Sequence, residues 1–227
     1  MKEIRTDALY DLAHTLAGAY LMQTTYPHEA LGNIGNWIRE IGKGLDANAF
    51  DHPLADVWIA KSASVAPTAS ITGPCIIDEN AEVRHCAFIR GNALIGKGAV
   101  IGNSTELKNV ILFDDVQVPH YNYVGDSILG HRAHMGAGAI TSNVKGDGSP
   151  VVIKCGTQKI PTGRKKVGAM LGDCAEIGCG CVLNPGTVVG ARTQIYPLTS
   201  VRGVIPADSI CKDSRTIVSK KQKGAEH

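Results

Sequence analysis

Large aromatic side chains are nearly absent from this 227-residue chain, which has three Phe and two Trp and only 5% aromatics in all. A thick layered core fills its volume with such rings. Their scarcity excludes that design and leaves Ile, Val, Leu and Ala to build a thin, repetitive core. A strong charge of either sign is also lacking: the formal net charge is +2, which removes the electrostatic case for a nucleic-acid or membrane-surface partner. No apolar run approaches the roughly 18–20 residues of a membrane span, and the mixed charges of residues 1–7 do not open a signal peptide. The expectation is a soluble, cytoplasmic chain. The seven cysteines contain no Cys-x-x-Cys pair. Although Cys174, Cys179 and Cys181 are close together, reduced thiols and no metal site are expected.

What the chain does have is a period of six. Val65, Ile71, Ile77, Val83, Ile89, Ile95, Ile101 and Leu107 fall on it, and four residues after them come mostly small ones, Ala69, Cys75, Ala81, Ala87, Ala93, Ala99 and Thr105. The rule restarts at Leu171 and runs through Ile177, Leu183, Val189, Ile195 and Val201. An amphipathic helix repeats at 3.6 and a plain strand at 2, so neither sustains a six. The pattern predicts a hexapeptide-repeat solenoid: short strands, aliphatics pointing inward, small residues in tight corners. Stacking makes its core continuous, since no single repeat hides its apolar face alone. Cys75 and Cys181 occupy small slots and read as packing residues.

The period stumbles between the two runs. Leu107 is followed by Leu112, Val118, Val124, Leu129 and Met135, with two steps of five. Residues 141–166 then abandon the rule, which predicts an inserted loop there, and an interruption of a solenoid is where function concentrates. Residues 1–55 differ again. Leu9, Leu12, Leu16 and Tyr20 space as a helix face with Asp7 as its N-cap, and a second helix is predicted from Pro27 to near Gly44, carrying Leu31, Ile34, Trp37, Ile38 and Ile41. This segment is expected to cap the solenoid, packing on its first coil or on a neighbouring chain. The domains are therefore a helical cap over 1–55, the solenoid over 56–212 and a basic C-terminal tail over 213–227.

The stretch from His120-Tyr121-Asn122-Tyr123-Val124-Gly125-Asp126, then Met135-Gly136-Ala137-Gly138-Ala139-Ile140-Thr141-Ser142-Asn143, carries a resemblance. It is similar to the acetyltransferase domain of the bifunctional N-acetylglucosamine-1-phosphate uridylyltransferase/glucosamine-1-phosphate acetyltransferases, over roughly residues 60–212. Thr162-Gly163-Arg164-Lys165-Lys166-Val167-Gly168 looks like the branch of that family with a longer inserted loop. The resemblance implies a mainly β, left-handed parallel β-helix with a short N-terminal helical segment. It also implies a homotrimer with active sites between chains, and acetyl transfer from acetyl-CoA to the amine of a glucosamine- or galactosamine-1-phosphate-like acceptor. Residue by residue, it implies His120 as general base and Asn143 as an aligning catalytic residue. Arg90, Lys108 and Tyr123 would bind the sugar phosphate, with His134 and Lys145 as further substrate contacts, and Ala137 would lie beside the acetyl-CoA. His134 stands where the family usually has Asn, which bears on the choice of sugar. No Gly-rich nucleotide loop precedes the solenoid, so uridylyltransferase activity is not expected from these residues, and a separate nucleotidyltransferase is a possible partner.

The residues suit that chemistry. A sugar ammonium must lose its proton before attacking a thioester, and imidazole, with an unperturbed pKa of about 6.5, fits the task. Arg and Lys are natural phosphate clamps, and Arg90 and Lys108 are eighteen residues apart, three sixes, which stacks them on successive coils facing the same way. Asn143 opens a Gly-rich loop and either caps a turn or serves the site. Lys145, Arg164, Lys165 and Lys166 either grip phosphates of CoA or stay solvated; Lys165 and Lys166 are taken as the cofactor contacts. Two other readings use the same scaffold. One is a non-catalytic sugar-phosphate or sugar-nucleotide binding solenoid. The other is a γ-carbonic-anhydrase-like metalloenzyme, against which His131 and His134, only three apart, should point from different sides of a coil.

Overall fold

The computed structural model describes residues 2–220; Met1 and residues 221–227, the end of the expected basic tail, lie outside the described residues. The chain winds as a left-handed parallel β-helix with three walls, preceded by a short helical segment. The hexads become coils because each inward aliphatic pairs with its counterpart one turn later. On the first wall, Ile59 pairs with Ile77, Ile77 with Ile95, Ile95 with Leu112, Leu112 with Leu129, Leu129 with Leu171 and Leu171 with Val189. The second wall stacks Ser64–Val65, Glu82–Val83, Val100–Asn103, Gln117–His120, His134–Met135 and Glu176–Ile177. The third stacks Ser70–Ile71, Phe88–Ile89, the start of Glu106–Leu112, the start of Tyr123–Leu129, Ile140–Thr141 and Val182–Leu183. From the second coil onward the aliphatics of these columns and the small residues Ala81, Ala87, Ala93, Ala99 and Cys181 are fully or almost fully buried, whereas Ile59, Val65 and Ile71 of the first coil are partly buried. Each aliphatic contributes about 1.5–3 kcal/mol by leaving water.

The five-residue steps have a local cause. In the coil of Gly91 and Asn92, two residues at positive φ (85° and 49°) turn the chain from the third wall to the first. One coil later Asn109 (φ 55°) makes the turn alone, and in the next Asp126 (φ 48°) does so. Dropping the glycine lets Glu106–Leu112 and Tyr123–Leu129 run as continuous seven-residue strands through the corner. Asn and Asp tolerate the left-handed conformation better than other side chains do.

The insertion is more regular than expected. After Ile140–Thr141 the chain forms an antiparallel hairpin of Val152–Cys155 with Gln158–Pro161 before rejoining the first wall at Ala169–Leu171. Val151 and Ile153 are buried, and a Cβ on Gly186 would lie 2.8 Å from Val151, so the hairpin rests on later coils.

The N-terminal segment departs from its expected form. Instead of one helix capped by Asp7, it comprises Thr6–Leu9, a 3-10 turn Leu12–His14 whose N-cap is Asp11, and Gly18–Leu21. The carbonyls of Leu9 and His14 accept N–H groups of Asp173 and Asp114 on the solenoid, both at 3.0 Å, so they are lost to a continuous helix. The second expected helix is present as a 3-10 stretch Pro27–Gly32 followed by an α-helix Ile34–Gly42. The segment also extends further than the first coil. Tyr10 donates to the Ile128 carbonyl, Asn109 donates to the Leu31 carbonyl at 3.1 Å, and Gly42 lies against Trp58. It runs along the first wall and buries that wall's outward column of Trp58, Ile76, Leu94, Ile111, Ile128 and Met170. Phe50–Leu54 then pairs antiparallel with Val57–Ala60 at the start of the sheet.

Candidate active site

Glu106, Tyr123 and Ile140 occupy one outward column of the third wall, and Arg90, Lys108 and Gly125 the next. The eighteen-residue spacing thus does place Arg90 beside Lys108. Each cation already has a carboxylate: Arg90 pairs with Glu106 at 2.6 Å, and Lys108 lies 3.9 Å from Asp126. Gly125 matters through what it lacks. A Cβ there would lie 2.5 Å from the Tyr123 hydroxyl and 2.9 Å from Asn143 Nδ2. Its absence lets the phenol and the amide meet across the wall.

These side chains form a network at the corner of the third and first walls. Asn143 Nδ2 donates to the Tyr123 hydroxyl at 3.2 Å and to Asp126 Oδ2 at 2.6 Å, and Asn109 Nδ2 donates to Asp126 Oδ1 at 2.9 Å. Asp126 is only 3% exposed, and two charge-assisted donors satisfy its carboxylate there. Burial raises the Tyr123 pKa above the usual phenol value; the Asn143 hydrogen bond opposes that shift and the Asp126 charge reinforces it. Tyr123 therefore remains a neutral O–H donor. Beyond the corner lies a cavity of about 540 Å³ lined by Lys108, Asn109, Asp126, Arg164, Lys165 and Lys166, with Leu31 and Gly32 of the N-terminal segment on its far side.

His120 and Ala137 sit at the opposite edge of the third wall. His120 ends its strand on the second wall, and Ala137 follows one coil later: Gln117 pairs with His134, and Gly138 N–H donates to the His120 carbonyl at 3.0 Å. Both are exposed. The Asn122 side chain fixes this edge, accepting from His120 N–H at 3.1 Å and donating to the Gly136 and Ala139 carbonyls at 2.9 and 3.0 Å. Gly136 N–H is spent on Ile177 and Gly138 N–H on His120. Of the three successive N–H groups here, Ala137's is the one with no protein acceptor among the described residues.

The structure keeps the remaining expected residues elsewhere. His134 lies in the middle of the second wall, its Nδ1 2.9 Å from Glu176 Oε2. Lys145 is held within its own turn by Ser149 and by Asp147, the latter at 3.5 Å. His131 stacks on His14 with ring centres 3.9 Å apart, its Nδ1 3.0 Å from the Asp114 carbonyl oxygen. Among the described residues no group of three or more His, Cys, Asp or Glu is arranged to hold a metal, and no helix is long and apolar enough to cross a membrane.

Residues 71–157 match the family model described as the GMPPB C-terminal domain. The chain is 32% identical over 208 residues to the bifunctional protein GlmU of Methanococcus maripaludis, covering 83% of this chain and 50% of that protein. It is 31% identical over 186 residues to the bifunctional sugar-1-phosphate nucleotidylyltransferase/acetyltransferase of Sulfurisphaera tokodaii, covering 72% and 45% respectively. The chain is related to these bifunctional nucleotidylyltransferase/acetyltransferase proteins. It spans about half the length of these curated relatives. A solved structure of the acetyltransferase domain of PglB from Neisseria gonorrhoeae, in complex with acetyl coenzyme A, aligns over 78% of this chain and 63% of its own, at 20% identity and a TM-score of 0.32.

Three features of the site escaped the sequence reading. Asp126 and Asn109 carried a signal: with Asp56 and Asn92 they are Asp or Asn at corner positions, all at positive φ. Asn122 lay inside the quoted motif, but only its buried amide, bonded to the next coil, reveals its role. The proximity of Arg164 to Leu31 and Gly32 joins residues more than 130 apart and had no sequence signal.

Proposed function

We propose that this chain transfers the acetyl group of acetyl-CoA to the amine of a glucosamine- or galactosamine-1-phosphate-like acceptor. The carrying observation is the arrangement on the third wall. Arg90, Lys108 and the Tyr123–Asn143–Asp126 network line one of its edges, and His120 stands beside Ala137 at the other. An amino-sugar 1-phosphate carries its anion on C1 and its amine on the neighbouring C2, so a phosphate anchored by cations presents the amine to a base close by. His120 accepts the ammonium proton and releases it to solvent. The freed amine attacks the thioester carbonyl, the Ala137 N–H stabilises the oxygen that becomes negative, His120 takes the second proton from the nitrogen, the C–S bond breaks, and the thiolate leaves with the proton of the imidazolium.

The same reading makes the working form a homotrimer. Tyr121 and Leu198 are 66% and 84% exposed at the edge that bears His120, and large apolar groups in one exposed column support a partner copy there. It also places the protein in the cytoplasm, where acetyl-CoA is available, with a separate nucleotidyltransferase as the consumer of the product. The test is acetyl-CoA consumption against a panel of amino-sugar 1-phosphates, read as thiol release, together with the solution mass. Turnover of one of them by a trimer is expected. Sugar-phosphate binding without turnover of any of them would favour a non-catalytic binding solenoid instead.

A further inference from the structure

The charges at the phosphate edge do not add up to a phosphate clamp. Arg90 and Lys108 bring two positive charges, but Glu106 at 2.6 Å and Asp126 at 3.9 Å cancel both. Unbalanced positive charge lies instead on Arg164, Lys165 and Lys166, which have no carboxylate within ion-pair distance among the described residues and share the 540 Å³ cavity with Lys108. Arg164 adds a second, independent sign of a missing anion. Its Nε is buried and has no acceptor, while its Nη2 reaches only the Leu31 carbonyl at 3.5 Å. A buried charged donor left unpaired is costly, and an anionic oxygen removes that cost. Gly32 shapes the wall facing it: a Cβ there would lie 2.8 Å from Arg164 Nη1 and would displace the guanidinium from this turn.

We infer that the acceptor's phosphoryl group is held in the cavity between the Leu31–Gly32 turn and the Arg164–Lys166 run, with Arg164 as its principal ligand. Lys165 and Lys166 then serve the acceptor and not the phosphates of CoA, the role the family resemblance alone gave them. Leu31 and Gly32 become part of the acceptor site, which gives the N-terminal segment a function beyond covering the first wall. The ligand is a phosphate monoester or the diphosphate of a nucleotide-linked amino sugar; both present negatively charged phosphoryl oxygens, two charges on one phosphorus in the first and one on each of two in the second. The identity of the acceptor rests on the function proposed above; the anion site does not.

Two measurements on the full chain separate these ideas. The first is calorimetry with inorganic phosphate and inorganic pyrophosphate, which needs no turnover. Arg164→Gln and the double variant Lys165→Ala/Lys166→Ala are each expected to weaken binding about ten- to hundredfold, the loss of one strong charge-assisted contact. Arg164→Lys, which keeps the charge and the fold contacts of the stem, is expected to recover part of it. The second is steady-state kinetics with the amino-sugar 1-phosphate and with its nucleotide-linked form. KM for the phosphorylated acceptor should rise by the same factor while KM for acetyl-CoA stays constant, and whichever form suffers the larger rise is the natural acceptor. A rise in KM for acetyl-CoA alone would transfer these residues to the CoA site and overturn the inference. Phosphate affinity unaltered by both variants would do the same, even if acetyl transfer proceeds. Arg164-dependent phosphate binding without acetylation of any amino sugar would leave the anion site standing and remove the proposed activity.

Discussion

Replacing Asp126 tests the corner network at its centre. The carboxylate accepts from Asn109 and Asn143 at 2.9 and 2.6 Å, and its residue turns the chain at a φ of 48°. Asn in its place keeps the left-handed preference but offers one acceptor where the wild type offers two. That forfeits one charge-assisted bond, about 1.5–3 kcal/mol. Ala loses both bonds, about 3–6 kcal/mol, and adds about 1–2 kcal/mol of left-handed backbone strain. The expected order is wild type, then Asp126→Asn lower by about 1.5–3 kcal/mol, then Asp126→Ala lower by about 4–8 kcal/mol. Urea unfolding followed by the fluorescence of Trp37 and Trp58 and by circular dichroism measures it, at one fixed protomer concentration because assembly shifts apparent stability. Equal losses for Asn and Ala would refute the backbone argument. Losses below about 1 kcal/mol for both would refute the network as a stabilising unit.

Other outcomes follow from single observations. Gly125→Ala places a methyl against the Tyr123 hydroxyl and Asn143 Nδ2, so acceptor KM should rise with little change in thermal stability; unchanged kinetics would show that the contact is dispensable. Leu94, buried although it points out of the solenoid, should on replacement by Lys release the N-terminal segment, seen as rapid cleavage by trypsin within residues 1–45 while the solenoid resists. Simultaneous digestion of both would contradict that packing. Cys75 is fully buried, and burial pushes its thiol from 9.0 up to about 12. The unfolded thiol ionises first, so its contribution is fully present below pH 9 and declines above it by about 1.4 kcal/mol per pH unit towards pH 12. Cys75→Ala should flatten that alkaline loss, and an identical slope in the variant would disprove the assignment.

The solenoid was legible because its physics is one-dimensional: an aliphatic every six residues specifies which side chains face inward, coil after coil, and those columns are buried. The same simplicity hid a second pattern. Trp58, Ile76, Leu94, Ile111, Ile128 and Met170 stand one residue before the inward aliphatics and form an apolar outward column, the mark of a covered wall. Helical spacing suggested longer helices than form at the N-terminus, because the Leu9 and His14 carbonyls bond to the solenoid, a tertiary competition that local pattern does not register. At the site, the stacking of Arg90 on Lys108 followed from repeat arithmetic. Their neutralisation by Glu106 and Asp126 did not, since it depends on side-chain reach within a coil and between coils. The insertion read as loop because Val151 and Ile153, its buried alternating pair, sit among Gly, Pro and Lys.

The most direct measurement is the rate of acetyl transfer to glucosamine 1-phosphate and galactosamine 1-phosphate by the wild-type chain and by His120→Ala, both at saturating acetyl-CoA. His120 has an exposed side chain, and only its backbone carries bonds to Asn122 and Gly138, so the variant should fold and assemble as the wild type does. The account predicts a fall in kcat of about 10²–10⁴-fold, the usual worth of a positioned general base. Turnover by the variant at the wild-type rate would contradict it.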